Sequence, residues 1–208
     1  MDRSQTAGRA LEKHVDYTGS KMGMWLFLFT ELLFFGGLFL LYAVYRSDFP
    51  QEFYATSAGL DRTVGAINTL VLITSSLTMA CSITAIKKGE TKSAVIFQLL
   101  TIGLALVFLG IKYYEWGAKI GHGMYPGSDA LLSAGQGEII FYSLYFVMTG
   151  IHGLHVLAGI VLIALMIRMT LKGIISTHDF VRLENTGLYW HFVDIIWVYL
   201  FPLLYLIG

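Results

Sequence analysis

This sequence predicts an all-α integral membrane protein, a bundle of five transmembrane helices with its N-terminus cytoplasmic and its C-terminus periplasmic. Three observations predict it. Of 208 residues 56% are hydrophobic and only 13% charged, where a soluble domain carries about a quarter. Five apolar runs each reach the roughly 20 residues that cross a bilayer. Lys and Arg are distributed unequally between the connections, which sets the orientation.

Residues 1–22 form a polar segment, read as cytoplasmic. They contain no apolar run ahead of a cleavage site, so no secretory signal is expected and the first span directs insertion. The domain 23–208 follows, with spans at 23–45, 64–86, 94–116, 138–168 and 187–206. Apolar residues run around each of them, which fits spanning helices rather than helices lying on the membrane surface. At 1.5 Å per residue the fourth is too long for a perpendicular crossing, so it tilts or projects beyond the lipid.

Arg3, Arg9, Lys13, Lys21, Lys87, Lys88, Lys92, Arg168, Lys172 and Arg182 fall on one side, ten in all. Arg46, Arg62, Lys112 and Lys119 make four on the other. The richer side is cytoplasmic by the positive-inside rule. Both outer connections carry turn residues, Pro50 in the first and Gly121, Gly123, Pro126 and Gly127 in the second, and 117–137 reads as a mobile or partner-covered loop. Tyr42/Tyr45, Tyr113/Tyr114/Trp116 and Tyr142/Tyr145 match an aromatic belt at the span ends. Gly36/Gly37, Gly103/Gly110 and Gly150/Gly153/Gly159 offer close helix approach. Pro202 is expected to bend the outer end of the last span.

Polar residues inside the spans carry the functional information. His191 and Asp194 lie three apart in the last span, on one helical face, between Trp190 and Trp197. Burying ionisable groups in hydrocarbon is costly, so the pair faces protein, water or a partner. Glu31 sits about 5 Å from the middle of span one at helical rise. It reads either as a carboxyl hydrogen-bonded across the bundle or as a proton-relay or lipid-contacting group. His152 and His155 form an i,i+3 pair in span four. Imidazole ligates metals and haem, but no carboxylate lies within sequence reach to complete a metal site. The only matched-depth haem pairing is His155 with His191, and hydrogen-bonded packing histidines are the simpler reading. Lys112 and Glu115 can pair at i,i+3 near the outer interface, relieved by snorkelling. Asn68 and Thr69 can hydrogen-bond between helices.

Several function classes are excluded or disfavoured. Zero net charge and the lack of a basic run argue against nucleic acid. The single cysteine, Cys81, can form neither an internal disulfide nor a multi-thiolate metal centre. No GxSxG, Walker or dinucleotide-binding motif is present.

Residues 28–37 with Glu31, the Asn68-Thr69-Leu70 start of span two, residues 112–116, the histidine segment 149–156 and the Tyr-Trp-His-Phe-Val-Asp segment within 189–197 occur in order. Together they resemble subunit III of the haem–copper terminal oxidases, in the five-span bacterial form that lacks the first two of seven helices. That form occurs in both cytochrome c oxidases and quinol oxidases.

The resemblance implies a non-catalytic subunit of the bacterial inner membrane, with no haem, copper or other metal bound by this chain. Haem and copper would sit in partner subunits I and II, with a subunit IV left open. Cytochrome c or quinol would be reached indirectly, through those partners. The chain would stabilise subunit I, support proton uptake and bind phospholipid. Glu31 matches the family's carbodiimide-reactive carboxylate. His152, His155, His191, Asp194 and Glu115 match structural polar positions, and Trp190 and Trp197 are candidates for lipid contact. The alternatives are a quinol oxidase subunit III, a related protein associated with nitric-oxide reduction, and a free-standing b-type cytochrome or transporter.

Overall fold

The computed structural model describes the backbone of residues 3–207 and the side chains of residues 17–207. The polar segment 1–22 therefore has its first sixteen side chains, including Arg3, Arg9 and Lys13, outside the described residues. Seven helices follow in order: α1 (Arg3–Asp48), α2 (Pro50–Ala58), α3 (Arg62–Lys87), α4 (Thr91–Gly121), α5 (Asp129–Leu132), α6 (Gln136–Leu171) and α7 (Val181–Tyr205). Five of them, α1, α3, α4, α6 and α7, are long and apolar enough to cross a membrane. They match the five spans read from the sequence and extend them at every end but the last, where α7 stops at Tyr205.

The connections 46–63 and 117–137 are more ordered than the turn residues suggested. Pro50 starts α2, where its fixed φ and missing N–H are harmless. The connection expected at 117–137 is shortened by α4, which runs on to Gly121, and it contains the single turn α5. Ser128 caps that turn by accepting from the Leu131 N–H at 3.2 Å. Asp61 caps α3 in the same way, accepting from Thr63 N at 2.9 Å and Val64 N at 3.1 Å.

α3, α4, α6 and α7 form a four-helix bundle, in which α3 and α4 pack most extensively. The buried positions explain this. α3 buries Asn68, Leu72, Ser75, Met79 and Ser82, and α4 buries Gln98, Thr101, Ala105 and Phe108. These sit three and four apart, the seam spacing of left-handed packing. Small side chains along it let the backbones approach, which matters where lipid gives no hydrophobic drive between helices.

α1 is different. Its core contacts come from Leu28, Phe35 and Tyr42, seven residues apart, while Trp25, Leu26, Phe29, Leu33 and Leu40 stay exposed. It therefore leans on α6 and α7 by a narrow stripe. Two polar clamps hold its ends. At one end Glu184 bridges Lys21 at 3.0 Å and Lys87 at 2.9 Å, while Asn185 donates to Ser20 Oγ at 3.0 Å. At the other, the Tyr42 hydroxyl donates to the Leu203 carbonyl, and next to it Ser57 Oγ of α2 donates to the Leu204 carbonyl at 2.7 Å. Those carbonyls belong to the last turn of α7 and have no partner within the helix.

The glycine expectations divide. A Cβ on Gly36, Gly37, Gly103 or Gly110 would meet nothing within 4 Å, so these do not mediate packing within the chain. At Gly159 a Cβ would fall 2.6 Å from the Trp190 ring. Here glycine is required, because the buried indole occupies the space of a side chain.

Candidate functional site

The polar groups of the bundle gather into three clusters, each built by residues from different helices. The first joins α1 to α6. Nε2 of His155 lies 3.0 Å from the Glu31 carboxylate, and both side chains are 20% exposed. His155 Nδ1 lies 2.8 Å from the Ile151 carbonyl, which can only accept, so Nδ1 carries the hydrogen. A hydrogen bond between Nε2 and the carboxyl group then needs one proton between them. Either the acid donates to a neutral imidazole or an imidazolium donates to the carboxylate, and both forms are neutral overall. Phe35 packs edge-on to the imidazole at 5.3 Å, and Tyr189 donates to the His155 carbonyl at 3.0 Å. Sequence spacing had set His155 beside His152 or opposite His191; its actual partner is Glu31.

The second cluster lies between α3 and α7. Trp190 Nε1 donates to Ser75 Oγ at 3.1 Å, and Trp197 Nε1 donates to Thr69 Oγ1 at 3.0 Å. Both indoles are fully buried. The expectation that Trp190 and Trp197 contact lipid is therefore corrected: hydroxyls on α3 draw the indole N–H groups inward, and Gly159 makes room for one ring. His191 Nδ1 meets Ser76 Oγ at 2.5 Å. Asp194 does not pair with His191. It is buried, and its carboxyl stands beside the Ser76 hydroxyl that holds His191, without a hydrogen bond of good geometry. Three residues apart put the two on one side of α7, but the imidazole is already held by Ser76. Asn68 is likewise buried without a partner, whereas Thr69 bonds across helices as expected.

The third cluster ties α4, α6 and α7 together near the C-terminal ends of α4 and α7 and the N-terminal end of α6. Lys112 Nζ lies 3.0 Å from Glu115 Oε2, 2.7 Å from Tyr205 Oη and 3.2 Å from Tyr145 Oη. Tyr145 and Tyr205 both donate to Glu115 Oε1, at 2.8 and 2.6 Å. The ammonium also lies over the Trp197 ring, 5.1 Å from its centre. Lys112 is 7% exposed and Glu115 8%, so this pair does not snorkel. It is enclosed by aromatic rings. Tyr42, Tyr142 and Tyr145, read as belt residues, are buried too, while Tyr113 and Tyr114 are exposed as a belt requires.

His152 stands behind this cluster, buried, with the edge of Phe108 at 5.5 Å and the Trp197 ring at 5.2 Å. Neither ring nitrogen has a hydrogen-bond partner, so it is a packed histidine but not a hydrogen-bonded one. Among the described residues no three His, Cys, Asp or Glu side chains come together as a metal site. Cys81 is free.

Comparison with known proteins places the chain in a family. The family model described as cytochrome c oxidase subunit III matches residues 5–208. The chain belongs to the cytochrome c oxidase subunit III family. It is 34% identical over 187 residues to the protein named cytochrome c oxidase subunit 3 from Thermostichus vulcanus, covering 89% of this chain and 86% of that one. It is 31% identical over 192 residues to the probable quinol oxidase subunit 3 of Staphylococcus saprophyticus, covering 91% and 89%. The corresponding Staphylococcus aureus protein is 30% identical over the same length. The family supplies subunits of multi-subunit oxidases, so this chain is a membrane-embedded part of an oxidoreductase complex.

The residues that the sequence did not single out are Ser75, Ser76 and Tyr205, and Tyr145 was read only as a belt residue. The hydroxyls on α3 had a signal, since Asn68, Ser75 and Ser82 recur at sevens along an apolar helix.

Proposed function

We propose that this chain is subunit III of a proton-pumping cytochrome c oxidase in a bacterial inner membrane, N-terminus cytoplasmic, carrying no redox centre itself. In this role it stabilises subunit I, supports proton uptake during turnover and holds phospholipid, while subunits I and II carry haem, copper and the electron donor. The observation that carries the reading is the family match over residues 5–208. The geometry supports the non-catalytic part. His155 is engaged by Glu31, His191 by Ser76, and His152 is enclosed by Phe108 and Trp197.

Within that role, Glu31 is the proton-linked, carbodiimide-reactive carboxyl, because it lies 3.0 Å from His155 Nε2 at a partly open position. His152, His191, Asp194 and Glu115 are structural. The names of the Staphylococcus relatives favour a second reading, subunit III of a quinol oxidase. The donor is chosen by the companion subunit II, whose copper-binding cysteines separate the two. Depleting this chain from the purified complex tests the role. The expected result is an unchanged haem spectrum with shortened turnover lifetime and weakened pumping; unchanged lifetime and pumping would contradict it.

A further inference from the structure

We propose that the seam between α3 and α4 encloses a binding site for water, between Ser82 and Gln98. The register of the seam follows from the hydrogen bond between Thr78 Oγ1 and Thr101 Oγ1 at 2.7 Å. α3 ends at Lys87 and α4 begins at Thr91, and so short a connection makes the two helices antiparallel. One turn from the threonine pair toward that connection stand Ser82 on α3 and Gln98 on α4, each roughly 4.5–6 Å along its axis at helical rise. The same register sets Ile86 opposite Ala94 beyond them. On the far side it sets Ser75 opposite Ala105 and Leu72 opposite Phe108. All six are buried, as a true register requires of both helices at once.

Ser82 and Gln98 are both 0% exposed, yet Ser82 Oγ, Gln98 Oε1 and Gln98 Nε2 have no hydrogen-bond partner in the protein. Ser82 differs in this from the other hydroxyls of α3. Thr74, Ser75, Thr78 and Thr84 each donate to a carbonyl of their own helix one turn back. Polar atoms buried without a partner are costly, and the buried groups of folded proteins are almost all satisfied by protein or by ordered water.

The three atoms select their partner. Nε2 only donates, Oε1 only accepts, and the hydroxyl does both. A cation would be repelled by the amide N–H groups and an anion by the carbonyl, and full burial between packed helices admits only a small molecule. Water both donates and accepts. Buried waters make about three hydrogen bonds to groups the protein leaves unpaired, and this layer offers three such atoms. Held there, water ties α3 to α4 one turn from the Thr78–Thr101 bond.

Two measurements on the intact complex test this. A density map fine enough to show ordered water should contain a peak within hydrogen-bond distance of Ser82 Oγ and the Gln98 amide. In X-ray hydroxyl-radical footprinting, trapped water oxidises the side chains beside it, so Met79, fully buried one turn away, should be oxidised despite its burial. Gln98→Leu removes both amide partners at similar volume and should lower that oxidation severalfold. Ser82→Ala removes the third partner with the least disturbance of packing and should lower it too. The wild-type map carries the test if neither variant assembles. A map without the peak, or with the Gln98 amide bonded directly to Ser82, overturns the proposal. So does Met79 oxidation that neither variant changes.

Discussion

Lys112 and Glu115 offer the sharpest energetic prediction. Removing one member of a buried ion pair leaves the other charge or its donors uncompensated, at a cost of about 3–5 kcal/mol. The geometry ranks the two losses. In Lys112→Met, the Glu115 carboxylate keeps both phenol donors on Oε1, at 2.8 and 2.6 Å, and loses only the ammonium on Oε2. In Glu115→Leu, Lys112 Nζ, Tyr145 Oη and Tyr205 Oη all lose an acceptor together. The first variant should therefore cost about 3 kcal/mol and the second about 5 kcal/mol. The double variant buries no charge and should be less destabilised than Glu115→Leu alone. Equilibrium unfolding of the purified chain in mixed micelles, followed by Trp fluorescence, measures all three. If the single costs fall below about 1 kcal/mol, the level of an exposed pair, or if they simply add in the double variant, the pair is solvated at the interface and the reasoning fails.

Other consequences are as direct. Gly159→Ala should destabilise the chain by about 1–3 kcal/mol, because the new methyl meets the fully buried Trp190 ring at 2.6 Å. Gly187→Ala should cost less, since its methyl meets only the mobile end of Ile83; the same unfolding assay ranks them. Glu31→Gln should keep the fold and abolish labelling of α1 by a hydrophobic carbodiimide. Persistent label on α1, read by peptide mapping, would contradict its assignment as the reactive carboxyl. Trp190→Phe strips the donor from Ser75 while keeping an aromatic ring, and should lower stability by about 1 kcal/mol.

Much of the architecture was legible because hydrocarbon imposes simple demands on a chain: five long apolar runs could only be spans, and all five are present. Side-chain partners were less legible, for identifiable reasons. Lys112 and Glu115 read as an interfacial pair because sequence spacing shows which residues share a helix face, not that Tyr145 and Tyr205 from two other helices would enclose them. Trp190 and Trp197 were candidates for lipid contact only through the family resemblance, and the hydroxyls of Ser75 and Thr69 draw both indoles into the bundle instead. Glu31 was recognised as costly to bury, but its partner lies 124 residues away on α6. His191 and Asp194 were expected to bond to each other or across helices, and His191 does the latter, to Ser76 on α3.

The account rests most heavily on membership of an oxidase complex, and one purification tests it. Tagged chain drawn from native membranes in mild detergent should bring a haem-bearing catalytic subunit at fixed stoichiometry. Once separated from that subunit, it should show no haem absorbance of its own. A chain that purifies without oxidase partners, or alone with a bis-imidazole Soret band, would contradict the account.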